Sequence, residues 1–262
     1  MKLRKLLGLG ILATALASSS TMPIQAQAEV AVNGDSTSAN EYVETEENRK
    51  IRLEKEAELE VAMSNQTKSE NAVTSSYTRA NTQSSMKINL GCTIYTQSTP
   101  YYCGPATCKI VLKHFGVSKS QDEIAKSLGT TKDGTIFDNI APTLNSYQKK
   151  NTYCYGTVAT SSSGLYGYDY ESWKSRIKFD IYKSVPLVID IKVNKANMKN
   201  YEWMYQTAGH YISISGYDNQ SSSTTPYTWI SDPHTKYSGT YRLKAKNVFG
   251  VNMAHSRHAI VW

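Results

Sequence analysis

The amino-acid sequence predicts an α+β fold in which N-terminal helices pack on a C-terminal antiparallel sheet. Three observations lead to this prediction. Within residues 87–262, helix signals occupy residues 103–183, strand signals follow from Val185 to Trp262, and the turns between strands are rich in Asn, Ser and Gly. Helices and strands that occupy separate parts of a chain are typical of α+β folds. Residues 87–262 are long enough for one hydrophobic core, so we expect no second domain there.

The chain begins with the pattern of a secretory signal peptide. Basic residues at positions 2, 4 and 5 precede an apolar run from Leu6 to Ala17, and Ala26-Gln27-Ala28 has the small residues of a cleavage site. Residues 1–28 are therefore predicted to direct export and to be removed. No later run approaches the roughly 20 apolar residues of a membrane span. We expect a secreted mature protein without a membrane span, either free or associated with the cell wall.

Residues 29–86 differ in composition from the rest of the chain. They are rich in Ser, Thr, Asn and Glu and lack Cys, Trp and Phe, so we expect a partly helical or disordered segment that cannot build a core. Residues 41–63 are its helix candidate. The segment carries 11 acidic and 6 basic residues, whereas residues 87–262 carry 20 basic and 11 acidic residues. Two interpretations stay open, an acidic prosegment of a zymogen held over a basic domain, and a solvated spacer.

Four helices are predicted in the first part of residues 87–262. The first begins near Cys103 with Pro105 in its first turn and ends at Gly116; its apolar stripe is Ala106, Ile110, Val111 and Phe115. The second opens with a capping box, Ser120 to Glu123, and Gly129 closes it. The third covers residues 135–147, weakened by a proline at position 142, and the fourth covers residues 171–183. Residues 151–170 are predicted to be a loop.

Five strands are predicted to form the sheet. They are Val185–Val193, Tyr211–Tyr217, Thr228–Ser231, Thr240–Ala245 and Ala259–Trp262. We expect the helix that begins at Cys103 to form one wall of a cleft and the second and third strands to form the other wall.

Polar residues at the ends of these elements suggest a nucleophilic site. Cys103 lies where a loop enters a helix, and the orphan N–H groups and dipole of a helix N-terminus favour a thiolate. His210 opens one strand and Asp232 ends the next, so antiparallel pairing would place the aspartate beside the histidine. Gln97, on the approach loop, is an amide donor that could face an oxyanion.

Each of these residues also has a structural explanation. Cys103 could be a buried thiol, His210 a core histidine, Asp232 a turn residue and Gln97 a surface amide. The order Gln, Cys, His, Asp together favours the catalytic interpretation. Asp218 is a rival orienter for the histidine, but eight residues of strand separate it from His210, which predicts that it lies at the far end.

These motifs resemble those of papain-like cysteine peptidases, and most closely the C39-like peptidase family. The similarity extends from about Tyr95 to the C-terminus, and the matching motifs are Gln97, Cys103-Gly104-Pro105-Ala106, Val185-Pro186-Leu187-Val188, Gly209-His210-Tyr211, Gly216-Tyr217-Asp218 and Asp232-Pro233. The resemblance implies a papain-like fold and a peptide or protein substrate. It also implies a residue for each role: nucleophile Cys103, base His210, orienter Asp232 and oxyanion donor Gln97.

The remaining cysteines and histidines are assigned no chemistry. Cys92 with Cys154 is the favoured disulfide pair in an exported protein, with free buried thiols as the close alternative. Cys108 lies on a different helix face from Cys103, which argues against a bond between those two. The His-x-x-His spacing at residues 255 and 258 could suggest a metal, but no cysteine or carboxylate cluster accompanies it. We therefore predict neither a metal nor a cofactor.

Several functions remain open beside a secreted cysteine peptidase. The same site could perform acyl transfer, as transglutaminases do, or cut peptidoglycan stem peptides, which a basic domain would favour on an anionic wall. A catalytically silent extracellular binding module that uses some of the 19 tyrosines is a non-enzymatic alternative. Leader-cleaving members of the family belong to ATP-driven exporters, and this sequence has no Walker motif. Residues 87–262 carry a net positive charge, but the sequence contains no motif that reads nucleic acid, so we expect no nucleic-acid partner. We also expect a monomer.

Overall fold

The computed structural model describes residues 44–72, 85–150, 152–157, 170–221 and 224–262. The predicted signal peptide and the start of the acidic segment lie outside the described residues. In chain order the helices and strands are α1 (Glu46–Ala72), β1 (Lys87–Asn89), α2 (Cys103–His114), α3 (Gln121–Leu128), a 3₁₀ turn (Phe137–Asn139), α4 (Ile140–Gln148), β2 (Tyr155–Thr157), α5 (Tyr170–Tyr182), β3 (Leu187–Val193), α6 (Lys195–Asn200), β4 (Thr207–Asp218), β5 (Tyr227–Asp232), β6 (Gly239–Lys244), α7 (Ala245–Met253) and β7 (Ala259–Val261).

The strands form one antiparallel sheet, as predicted. Its order is β2-β7-β3-β4-β5-β6, and β1 pairs with the end of β4. The 12-residue strand β4 is the central element, since it pairs with β3 along its first part and with β5 along its last part. Ser213 of β4 lies opposite Ser231 of β5. This register brings the start of β4 close to the end of β5.

Side chains alternate between the two faces of the sheet, and each face has its own helices. On one face α2, α3 and α4 pack against Val188, Tyr211 and Val261. On the other face α5 and α7 pack against Ile189, Ile212 and Ile260, which lie next to those residues in sequence. The sheet is therefore buried on both sides, with α2 on the face opposite α5 and α7.

The predicted helices of residues 103–183 are present with small changes. Ser120 and Glu123 form the capping box of α3, and Gly129 ends that helix in the left-handed conformation at φ 66°. The expectation that Pro142 weakens the third helix is wrong. This proline lies in the first turn of α4, where its missing N–H has no intrahelical partner to lose.

Four elements of residues 87–262 were not predicted. Strands β1 and β2 have three residues each, too few for an alternating pattern to emerge. The expectation that residues 151–170 form only a loop is therefore wrong at β2. Helix α6 begins at Lys195, directly after Asn194, whose side chain caps it. Helix α7 occupies part of the region expected to be turn and strand. The apolar residues of α7 are mixed with Asn and Gly, so its sequence has no clear helical stripe.

Helix α1 contributes to the core of the domain. Ile51 and Leu59 are buried, and they belong to the same apolar cluster as Phe179 and Trp262. Helix α1 lies within the residues that are expected to build no core of their own, and it adds two side chains to the core that the rest of the domain forms. Its apolar residues are sparse, but two of them suffice because the surface that they cover is already formed by α5 and the C-terminus.

Charged side chains also hold α1 on α5. Lys55 Nζ lies 3.0 Å from the buried carboxylate of Asp180 and donates a hydrogen bond to the carbonyl of Thr152 at 3.1 Å. Glu56 accepts a hydrogen bond from Arg176 at 3.2 Å. The acidic segment and the basic domain are thus complementary here, although the most deeply buried pair has the opposite polarity, with its cation on α1.

The four cysteines are buried, and none of them forms a disulfide. Burial raises the pKa of Cys92 to about 11 and that of Cys154 to about 12, and it raises the pKa of Cys108 as well. These three thiols are therefore protonated at neutral pH, and the favoured Cys92–Cys154 disulfide is not realised. In the part of the chain that the structure describes, no helix is both long and apolar enough to cross a membrane.

Candidate active site

Cys103 is the first residue of α2, at the junction that the sequence predicts. The preceding residue, Tyr102, provides no side-chain cap, and the first turn contains no acidic residue. The positive end of the helix dipole is therefore left to act on the cysteine. Gly104 is required by packing, since a Cβ at this position would lie 2.4 Å from Oγ1 of Thr135. A close approach of the backbone to Thr135 thus fixes the start of the helix.

Helix α2 is attached directly to the strand that carries the histidine. The Thr107 hydroxyl donates to the Tyr211 carbonyl at 2.9 Å, and the Tyr211 hydroxyl donates to the Thr135 carbonyl at 2.9 Å. Tyr211 follows His210 in β4. These two bonds hold Cys103 and His210 on elements that cannot move independently.

His210 connects the cysteine with the aspartate. Its Nε2 lies 2.9 Å from Oδ1 of Asp232, and Cys103 is near enough to the ring to help raise its pKa. Because Nε2 faces the carboxylate, the other ring nitrogen, Nδ1, is the one available to the sulfur. The pairing of β4 with β5 brings His210 and Asp232 together, as the sequence predicts.

The surroundings of His210 favour its charged form. Burial by itself would lower the pKa of His210, but the charge and hydrogen bond of Asp232, together with Cys103, raise it to about 10. An imidazolium is therefore maintained beside the sulfur at neutral pH. Such a pair can supply both a nucleophilic thiolate and the proton for a leaving group.

Gln97 is buried beside the site, but its amide donors face the loop. Nε2 donates to the carbonyls of Thr99 at 2.9 Å and Pro100 at 3.0 Å, and its backbone N–H donates to the Pro233 carbonyl at 2.8 Å. Among the described residues, its Oε1 is a buried atom without a hydrogen-bond partner. Gln97 thus links the loop before α2 to the loop after Asp232, and its oxyanion role stays a prediction.

The rival orienter Asp218 lies at the far end of β4, as expected. Its carboxylate accepts hydrogen bonds from the backbone of Gln220 and Ser221 and from Arg242. This aspartate therefore holds the turn after β4 and lies far from His210 along the strand.

The two histidines of the His-x-x-His spacing lie in one turn before β7, where the His258 N–H donates to the His255 carbonyl at 3.2 Å. His255 is buried, with Nδ1 3.1 Å from Oδ2 of Asp190, and His258 has a positive φ of 47° in the turn before β7. Among the described residues there is no group of three or more His, Cys, Asp or Glu that could hold a metal ion.

The sequence does not predict two aromatic residues of the site, Tyr205 and His234. The hydroxyl of Tyr205 donates to Oδ2 of Asp232 at 2.5 Å, and the backbone N–H of His234 donates to Oδ1 at 2.8 Å. Burial and then the nearby charge of His210 lower the pKa of His234. His234 could have been found because it follows Asp232 by two residues in a turn. Tyr205 gives no such signal, since it is one of many tyrosines and lies in a loop.

Comparison with known proteins identifies a family. The model of the Peptidase_C39 like family matches residues 89–256, a range that contains Gln97, Cys103, His210 and Asp232. A comparison with curated proteins finds no match.

Similar solved structures include three peptidases. The first is a double glycine motif protease from an AMS/PCAT transporter in complex with the leader peptide (14% identity, TM-score 0.43, covering 66% of this chain and 91% of that one). The second is the peptidase domain of Streptococcus ComA, a bi-functional ABC transporter involved in a quorum sensing pathway (16%, 0.39, 64% and 95%). The third is a protein from Bacillus anthracis described as a C39-like peptidase (12%, 0.45, 67% and 96%).

Proposed function

Because the chain belongs to the Peptidase_C39 like family, we propose that it is a secreted cysteine peptidase whose nucleophile is Cys103. One observation carries the proposal. The Nε2 of His210 lies 2.9 Å from the carboxylate of Asp232 while Cys103 is near enough to act on the pKa of the same ring, and this arrangement is the one that a nucleophile, its base and the orienter of that base require.

Acylation would start from a thiolate on Cys103 and an imidazolium on His210. The sulfur attacks the carbonyl carbon of a peptide bond, and the carbonyl electrons move onto oxygen. His210 then gives its proton to the amide nitrogen, which leaves as an amine when the C–N bond breaks. The other half of the substrate stays on Cys103 as a thioester.

Deacylation uses the same residues in reverse. Neutral His210 takes a proton from water as the water oxygen attacks the thioester carbon. The C–S bond breaks, a carboxylic acid leaves, and the thiolate and imidazolium are restored. Asp232 holds the ring in one orientation through both steps.

The oxyanion of each tetrahedral intermediate would be held by the start of α2. The first N–H groups of a helix have no intrahelical acceptor, so the Cys103 N–H is suited to this task. Gln97 is the second proposed donor. It would exchange one of its two bonds to the Thr99 and Pro100 carbonyls for the oxyanion, because both of its N–H groups are engaged in the substrate-free protein.

We propose extracellular or cell-envelope protein as the substrate class. The signal-peptide pattern of residues 1–28 supports export, and the positive charge of residues 87–262 supports attraction to an anionic wall.

The test compares Cys103→Ala with Cys108→Ala. Both remove a buried thiol from α2, but only the first removes the proposed nucleophile. Purified proteins are incubated in ¹⁸O-labelled water with a mixture of denatured proteins or with isolated cell walls, and the products are analysed by mass spectrometry. We expect Cys103→Ala to lose at least about 1,000-fold in rate, and Cys108→Ala to retain the rate of the wild type.

The label distinguishes the chemistry. Hydrolysis places one ¹⁸O in each new carboxylate, whereas transfer to an added amine gives an unlabelled amide. Products from walls alone would favour stem-peptide cleavage. Equal activity of Cys103→Ala and wild type would contradict the proposal, and a wild type without activity on any substrate would favour a binding module.

A further inference from the structure

The carboxylate of Asp232 is held by three donors from three different segments. Oδ1 accepts from His210 and from the backbone of His234, and Oδ2 accepts from the hydroxyl of Tyr205. Asp232 itself is fully buried. The Tyr205 bond is the one that fixes the second oxygen, so it opposes rotation of the carboxylate about its last side-chain torsion.

The aromatic ring of Tyr205, like its hydroxyl, contacts residues around Asp232. It stacks on His234 with ring centroids 4.3 Å apart, and it meets the ring of His210 edge-on at 5.8 Å. Tyr205 is 4% exposed. The ring thus covers one side of the histidine and keeps water from the bond between His210 and Asp232, which strengthens that bond.

The loop that carries Tyr205 also contacts β6 and α7, away from Asp232. Glu202, in the left-handed conformation at φ 54°, accepts hydrogen bonds from Lys244 at 2.8 Å and from Asn247 at 3.2 Å. Tyr201 packs so closely on Gly250 that a Cβ there would lie 2.3 Å from its ring. The position of Tyr205 is therefore set by contacts with β6 and α7 and does not depend on Asp232 alone.

We propose that Tyr205 is a positioning residue of the peptidase site, which acts through Asp232 to keep His210 oriented and charged beside Cys103. The inference rests on the proposed function and deepens it. The hydroxyl remains a donor at all relevant pH values, because burial and the charge of Asp232 raise the pKa of Tyr205 well above its usual range.

The test is the rate at which iodoacetamide alkylates Cys103 at mildly acidic pH, with peptide mapping of the label. Ordinary thiols react slowly there, whereas a thiolate beside an imidazolium reacts fast. Tyr205→Phe keeps the ring and removes the hydroxyl. Loss of a hydrogen bond to a charged group is expected to slow alkylation by about tenfold and to lower kcat in proportion while KM stays constant.

Tyr153→Phe is the matched control. It also removes a buried tyrosine hydroxyl that donates a hydrogen bond, here to the Pro186 carbonyl at 2.7 Å. We expect its alkylation rate to equal that of the wild type. Equal rates for Tyr205→Phe and Tyr153→Phe would overturn the proposal.

A double-mutant cycle shows whether Tyr205 acts through Asp232. If it does, Tyr205→Phe has no further effect in an Asp232→Asn background; additive effects would overturn the proposal. If Tyr205→Phe does not fold, a crystal structure of Cys103→Ala decides instead, and a Tyr205 hydroxyl beyond hydrogen-bond distance of Oδ2 counts against the role.

These readouts separate this inference from the function on which it rests. A fast, Tyr205-dependent alkylation without peptide cleavage would reject the peptidase and support the positioning role. A Cys103 that reacts no faster than Cys108 in the wild type would overturn both.

Discussion

The role proposed for His210 depends on charged groups that lie far from it in the sequence and that the fold brings close. The histidine and Asp232 are separated by 22 residues, and Cys103 precedes the histidine by more than a hundred. Alone, a buried histidine would be neutral, since burial favours the uncharged form. The aspartate reverses this preference, and the result is a proton donor that persists at neutral pH.

The raised pKa predicts how activity depends on pH. His210 remains protonated below about 10, so kcat/KM of the wild type should be constant through neutral pH and fall as the pH rises through about 10. Removal of the charge in Asp232→Asn removes the main cause that raises the pKa. Its alkaline limb should therefore lie at least about one unit lower, measured from kcat/KM across the pH range.

The control for this prediction is Asp218→Asn, which changes the rival orienter at the far end of β4. It should leave the alkaline limb in place. A shift in Asp218→Asn and none in Asp232→Asn would show that the wrong aspartate has been assigned.

At the scale of residues, the sequence predicts a site residue when that residue lies at the end of a helix or strand and in the expected order along the chain. Cys103 was identifiable because Pro105 marks a helix start, and His210 and Asp232 because each lies at a strand end. Tyr205 was not identifiable. It lies in a loop whose conformation depends on Glu202 reaching Lys244, a contact between residues 42 positions apart that no local pattern indicates.

At the scale of elements, local signals succeeded where they were strong. The capping box of α3 depends on only four consecutive residues, and the sequence therefore predicts it. Helix α7 is not predicted because its helical conformation depends on burial against β3 and β5. Helix α1 is predicted as a helix, but its docking is not, because its two buried apolar residues lie among many charges. Tertiary contacts decide such segments, and sequence periodicity does not report them.

The buried pair between α1 and α5 yields a stability prediction. Lys55→Met leaves the carboxylate of Asp180 buried without its cation, and this should lower the free energy of unfolding by about 3 kcal/mol. Urea unfolding at neutral pH measures the effect. The exposed Lys50 lies on the same helix, and Lys50→Met is expected to change stability by less than about 0.5 kcal/mol.

A second substitution tests whether the loss of stability comes from the unpaired carboxylate of Asp180. Asp180→Leu added to Lys55→Met replaces both charges by apolar groups and should recover much of the loss. If Lys55→Met is as stable as Lys50→Met, then α1 does not remain docked in solution.

At the scale of the whole molecule, the sheet order separates two regions. Helix α1 packs against α5 and β2, at the β2–β7 edge, whereas His210 and Asp232 lie on β4 and β5. The α+β class and the antiparallel pairing followed from the distribution of helix and strand signals. The strand order could not be predicted in this way. It places β7, the last strand, between β2 and β3, and no local sequence pattern indicates pairing between strands so far apart in the chain.

This separation bears on the two interpretations of the acidic segment. A prosegment that inhibits by covering the cleft should contact the cleft, but α1 docks on the side of α5 and the C-terminal Trp262. We therefore expect the active protein to retain α1, with an N-terminus near Glu29. Intact-mass analysis of secreted, active protein gives the answer directly.

Deletion of residues 29–72 should act on stability and not on the site. Each of Ile51 and Leu59 contributes about 1.5–3 kcal/mol when buried, and the deletion would expose Phe179 and Trp262. We expect a lower unfolding temperature and a lower soluble yield, with unchanged kcat for the fraction that is folded. Activation by limited proteolysis, accompanied by loss of α1 from the mass spectrum, would contradict this expectation and establish α1 as an inhibitory prosegment.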